Sequence, residues 1–175
     1  MKGMSPAPGG RHGRTRKALM FLIETEKDLL QSFRPRDREK VELPKGLKFP
    51  LFVRDYFAWV EPTGTRVFLV CPSPDNKRPV GIAFRRDPPG SSTPSQLCDW
   101  CHTYGSSNEI GLLSTDVNSK RRVGVNLCLD LRCKEKLETV ADLSGRHPRD
   151  VMPPLMERMT RFAREALRIQ TVPKD

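Results

Sequence analysis

A chain of 175 residues, 37% of them hydrophobic, has room for one ordinary domain with a modest core. Its net charge of +10 and isoelectric point near 9.7 point to a polyanionic neighbour, whether DNA, ribosomal RNA or an acidic protein surface. Secretion or membrane spanning is not expected: the apolar run at residues 18–23 (ALMFLI) is short, has no small-residue cleavage site and gives way to Glu24, so the chain reads as cytoplasmic.

Residues 1–14 are rich in Gly, Pro, Arg and Ser without periodicity, which predicts a disordered basic tail. Over 15–33, Leu19, Leu22, Ile23, Leu29, Leu30 and Phe33 fall roughly on one stripe, the pattern of an amphipathic helix closed by Pro35. A second short helix is expected over 35–43, stopped by Pro44, so that 15–44 forms a helical hairpin ahead of the main domain at 45–175. Strands follow at 52–60, 65–71 and 79–85, rich in aromatic and β-branched residues, with Pro62-Thr63-Gly64 as the first turn. Cys71 ends the second of these runs, where an inert buried cysteine is usual. Residues 87–95 (DPPGSSTPS) read as a loop. An antiparallel hairpin is expected from 109–117 and 122–127, tipped by Asn118-Ser119-Lys120. A helix over 130–140 has Asp130 as its N-cap candidate and leads into a loop at 142–150. The last element, over 153–169, is an amphipathic helix with Leu155, Met159, Phe162, Ala166 and Ile169 inward. Arg158, Arg161, Arg164 and Arg168 lie mainly on its outer side. This order of elements reads as an α+β fold.

Four of the five cysteines come in two pairs, Cys98-Asp-Trp-Cys101 and, 27 positions on, Cys128-Leu-Asp-Leu-Arg-Cys133. A reducing cytosol and an odd total argue against disulfides. Four thiolates suit one tetrahedral zinc ion, and a two-residue spacer lets two cysteines grip it together. A knuckle, a hairpin, then a second pair at a helix start is the layout of a treble clef, here covering about residues 96–140. The positive end of that helix favours thiolate at Cys128 and Cys133. A redox pair would join a strand to a helix, whereas Cys98 follows a Pro/Ser loop. A catalytic zinc needs an open position, which four cysteines close, leaving His102 a bystander. The expectation is one structural Zn2+ held by Cys98, Cys101, Cys128 and Cys133. No nucleophile–base pair or carboxylate dyad stands out, so no catalytic residue is assigned.

The run Cys98-Asp-Trp-Cys101-His-Thr, the hairpin Ile110-Gly-Leu-Leu-Ser, Arg121-Arg-Val-Gly and the ending Cys128-Leu-Asp-Leu-Arg-Cys133 resemble one family. It is the elongation-factor-G-binding, fusidic-acid-resistance type with a C-terminal treble-clef zinc finger (FBP domain). The similarity continues upstream through Leu43-Pro44, Phe57-Ala58-Trp59-Val60 and Pro79-Val-Gly-Ile-Ala-Phe. The resemblance implies a binding protein and not an enzyme. It also implies that the partner is elongation factor G or the ribosome, that the factor is helped off a ribosome on which fusidic acid has trapped it, and that the zinc lobe makes the contact. On this chain that lobe offers Trp100, Tyr104, Lys120, Arg121 and Arg122; taken alone, Trp100 reads rather as apolar cover for the zinc, and the basic tip equally as a solvated loop. A monomer without membrane or small-molecule ligand is expected. A zinc protein that binds ribosomal RNA or other nucleic acid is the alternative. Its aromatic content of 7% is thin for stacking on single-stranded bases, which tilts the reading toward a protein partner.

Overall fold

In the computed structural model, which describes residues 20–73, 78–87 and 95–169, the chain opens with a strand. The expected tail at 1–14, the first part of the expected helix and most of the loop at 87–95 lie outside the described residues. Strand β1 (Met20–Ile23) pairs antiparallel with β2 (Leu51–Arg54), Ile23 opposite Leu51. The helix expected from residue 15 is corrected here. Ile23 and Val53 point into the core while Met20, Leu22 and Phe52 are exposed, the period-two pattern of a strand. Helix α1 (Glu26–Ser32) begins only at Thr25. The Thr25 hydroxyl accepts from the Asp28 amide, and the Asp28 carboxylate accepts from the Thr25 amide at 3.0 Å, which closes a capping box. Helix α2 (Pro35–Arg38) has Pro35 in its first turn and stops after one turn, well short of residue 43. A strand and two short helices therefore replace the expected helical hairpin.

Five strands form the main antiparallel sheet: β3 (Phe57–Val60), β4 (Arg66–Pro72), β5 (Pro79–Arg86), β8 (Ile110–Asp116) and β9 (Arg122–Cys128), in the spatial order β3-β4-β5-β8-β9. Two-residue strands β6 (Gln96–Leu97) and β7 (Tyr104–Gly105) pair as a small ribbon outside it. The strand expected over 52–60 is two strands, broken at Asp55, whose φ of 71° lies in the left-handed region that Asp tolerates better than most residues. β4 is apolar and buried from Val67 on because both its faces are covered there. On one side Phe68 and Val70 pack with Trp59, Phe33, Leu29 and Ile23. Gly81 makes room there, since a Cβ would stand 2.5 Å from the Phe33 ring. On the other side Val67, Leu69, Ile82 and Phe84 meet the C-terminal helices. Cys71 is fully buried on that side, and burial pushes its thiol up to about 12.

Helix α3 runs Cys133–Leu143 and α4 runs Pro148–Arg161. Pro148, and not Pro153, occupies the first turn of α4; Pro153 and Pro154 sit inside the helix, so the expected start was five residues late. A π-helical turn, Phe162–Ala166, ends α4, with the Leu167 amide donating to the Phe162 carbonyl. The wider turn re-aims the buried face. Leu155 and Met159 are buried as expected, Phe162 and Ile169 pack half-buried against the same core, and Ala163 and Leu167 are buried where Ala166 was expected. No described helix is long and apolar enough to cross a membrane.

Candidate metal centre

Two tight turns bring the four thiols together. In the first, the β6–β7 ribbon closes over Cys98–Cys101: the Cys98 amide donates to the Thr103 carbonyl at 3.0 Å and the His102 amide to the Cys98 carbonyl at 2.9 Å. His102 takes a φ of 58° to complete the turn, and its side chain is exposed and outside the sulfur cluster. Asp99 ties this knuckle to β9, its amide donating to the Asn126 carbonyl and its carboxylate accepting from the Asn126 amide.

The second turn runs from Cys128, the end of β9, to Cys133, the first residue of α3. Leu131 is left-handed at φ 54° and its amide donates to the Cys128 carbonyl at 2.9 Å. Two side chains reach in to hold this loop. Arg86 donates through Nε and Nη2 to the Leu129 carbonyl at 2.9 and 2.6 Å. The Tyr56 hydroxyl donates to the Leu131 carbonyl at 2.7 Å and accepts from the Lys134 amide at 2.9 Å. Burial, then the charge of the Cys133 sulfur, holds the Tyr56 phenol well above its ordinary range. Asp130 is not the N-cap of α3: Arg132 takes that position, and the Asp130 carboxylate accepts from the Arg132 amide within the loop.

All four sulfurs are buried and lie within 4.8 Å of one another; Cys98 to Cys133 and Cys101 to Cys128 are each 3.7 Å. Four sulfurs about 2.3 Å from one tetrahedral ion stand about 3.8 Å apart, so the cluster has the dimensions of a zinc–tetrathiolate site. Contact with the Cys128 and Cys133 thiols pushes Cys101 far down, and the same contacts push Cys128 and Cys133 up. Protons crowded among four sulfurs are what a divalent cation displaces, since its ligands are thiolates. The four cysteines are poised to bind one ion, structural in that no ligand position is left open.

The other residues expected in the partner surface separate. Trp100 is 3% exposed, its ring edge-on to Phe84 at 6.0 Å and to Phe162 at 5.8 Å, so it covers the metal lobe and offers a partner no surface. Arg158 donates to the Trp100 carbonyl and so leaves the solvated stripe expected of it. Tyr104 is 76% exposed on β7, directly across the ribbon from the exposed Leu97. Lys120, Arg121 and Arg122 are exposed at the far end of the β8–β9 hairpin, roughly 20 Å along the strands from Cys128. Arg122 pairs there with Asp116 at 2.7 Å. Sequence reasoning missed Tyr56, Arg86 and Leu97. Only Leu97, one residue before the first cysteine, had a local signal.

A family profile described as FBP C-terminal treble-clef zinc-finger matches residues 27–170. No curated protein matches the chain. Among solved structures, that of the fusidic acid resistance protein FusC is similar at 22% identity and a TM-score of 0.44, over 71% of this chain and 57% of that one. The present chain thus spans less than two thirds of that protein's length. With the profile covering most of its length and four clustered thiols at the profile's namesake feature, the chain belongs to the FBP C-terminal treble-clef zinc-finger family.

Proposed function

We propose that this is a non-catalytic cytoplasmic protein, stapled by one zinc ion held by Cys98, Cys101, Cys128 and Cys133, that binds translation elongation factor G, the ribosome or both. Promotion of factor release, and with it tolerance of fusidic acid, follows from that reading. Family membership and the motif resemblance support it. The observation that carries the choice of surface is the Leu97–Tyr104 pair. An aliphatic and an aromatic side chain, 39% and 76% exposed, face each other in register on the ribbon that carries the first knuckle. Exposed aromatics on a rigid element are the usual anchors of protein interfaces. The metal fixes the ribbon, and the ribbon presents the pair.

The test is binding of the full chain to purified elongation factor G and to ribosomes, with the wild type and a Leu97→Ser/Tyr104→Ala variant. The variant should lose about tenfold or more in affinity, the scale of an interface anchor, while keeping its zinc. A wild-type chain that binds neither factor nor ribosome at any salt concentration rejects the reading. A variant that binds as well as wild type rejects this surface.

A further inference from the structure

Across the sheet from the metal lobe, past the end of the Phe33–Trp59 packing, lies a basic patch outside the zinc site. Arg66 and Arg85 stand directly opposite each other in the β4–β5 register, on the solvent side. Like charges in direct cross-strand pairs destabilise a sheet. Arg66 is met by Glu61 at 3.4 Å, but Arg85 has no ion pair among the described residues. A side chain whose charge costs the fold and is answered by no acid is placed for a ligand.

The neighbouring strands supply the rest of a site. β5 and β8 pair only at Arg85–Ser114 and Arg86–Leu113 and then part, leaving a cleft of about 30 Å³. That is room for one water-sized ligand atom. Arg66, Arg85, Lys40 and Arg122 line it together with Asp37, Asp116 and Thr115. The two acids hold cations in place: Asp116 binds Nε of Arg122, and Asp37 lies 3.8 Å from Lys40. Arg36 reaches in as well, donating to the Asp116 carbonyl. Cations outnumber acids around the cleft, and the surface turns acidic only beyond Arg66, at Glu39, Glu42 and Glu61.

We propose that this face binds the phosphate backbone of a nucleic-acid strand. From Arg66 on β4 to Arg122 on β9 the cations span three strand spacings, about 15 Å. A free phosphate would need one focus of charge. A polynucleotide repeats its charge at short, regular intervals along one strand, which suits guanidinium forks spread over β4, β5 and β9. An acidic peptide lacks that regularity. Phe84, the one aromatic among the residues lining the cleft, is buried, so the strand is held by its phosphates and not its bases, without sequence preference. The hairpin tip, with Lys120 and Arg121, extends the same track and belongs to this face, not to the metal lobe.

The experiment measures binding of a labelled short oligo(U) by anisotropy across a salt series, using the full zinc-loaded chain. Wild type is compared with Arg66→Glu/Arg85→Glu and with Arg161→Glu/Arg164→Glu, which makes the same change of net charge on the exposed side of α4. The sheet variant should flatten the slope of log affinity against log salt by roughly 1.4, about 0.7 for each phosphate no longer neutralised. The α4 variant should change it little. Arg85→Gln alone keeps every ion pair of the fold and should flatten the slope by about 0.7. Equal effects of the two charge-reversal variants, an unchanged slope for Arg85→Gln, or polyglutamate binding as tightly as oligo(U) would each overturn the proposal. Elongation factor G is absent from this assay, so the outcome is independent of the reading of the Leu97–Tyr104 surface.

Discussion

Tyr56→Phe removes one oxygen and should loosen the metal. The hydroxyl donates to the carbonyl of Leu131, in the second knuckle, and accepts the amide of Lys134, in the first turn of α3. Leu131 is 1% exposed, so its carbonyl stays dry when the hydroxyl is gone, a loss of about 1–3 kcal/mol. Lys134 is half-buried, water can reach its amide, and that bond adds about 0.5–1.5 kcal/mol. The sum, roughly 2–4 kcal/mol, falls on the metal-bound form, because a metal-free knuckle can relax and rehydrate its carbonyl. Supports of this kind behind metal ligands typically matter ten- to a hundredfold in metal affinity. Zinc competition with a chromophoric chelator should therefore show a dissociation constant at least tenfold weaker, and the thermal midpoint should drop by roughly 5–15 °C. A Tyr56→Phe chain that holds zinc within a factor of about two of wild type would show that the knuckle is set by its own backbone and refute the argument.

Protein purified without added zinc should carry close to one equivalent by metal analysis, and Cys98→Ser or Cys128→Ser should lose both the metal and the near-ultraviolet signature of packed aromatics. Structural zinc contributes on the order of 10–16 kcal/mol, comparable with a domain's whole stability, whereas Cys71→Ser should cost a few kcal/mol at most and leave the zinc in place. The hydrogen bond from Arg122 holds the Asp116 carboxyl below its ordinary value, and the charges of Arg122, Lys40 and Arg36 add to this against partial burial. The stabilisation it lends is complete above the ordinary aspartate value and is lost as pH falls through the lower folded one. In Arg122→Gln the Asp116 carbon-13 titration should move up toward the ordinary aspartate range, and an unmoved titration would show that the ion pair does not persist in solution.

The metal site was legible because its signal is local: two short cysteine spacers and the hairpin between them determine the cluster whatever the rest of the chain does. β4 and the β8–β9 hairpin were legible for the same reason, through composition and turn residues. The N-terminus was not. Its apolar run fits a helix or a strand, and the decision is made by β2, a partner nearly thirty residues away. The Thr25–Asp28 capping box was present in the sequence as the true helix start, but the longer apolar stripe outweighed it. At the other end the apolar stripe from Leu155 on set the expected start at residue 153, though His147 and Pro148 begin the helix earlier. Tyr56 had no sequence signal as a support for the metal, because its partner carbonyl lies 75 residues further on.

Trp100 explains why this zinc finger is not a detachable module. Its backbone sits between two metal ligands, and its carbonyl takes a hydrogen bond from Arg158 of α4. Its ring meets Phe84 of the sheet and Phe162 of the closing π turn, and those two rings meet each other at 5.9 Å. The four ligands, this aromatic trio, one face of β4 and the buried row of α4 form one continuous core. A chain with modest hydrophobic content thus uses a metal-held lobe as one wall of its main core instead of building a larger apolar one. The consequence is asymmetric. The face of the sheet on which Phe33 and Trp59 pack has no metal-binding cluster among the described residues; apolar and aromatic contacts hold it, with a hydrogen bond from the Trp59 indole to the Glu42 carbonyl. Removing zinc should therefore unpack the α4 side first and leave the β1–β2 side, with its capping box, the longest to persist.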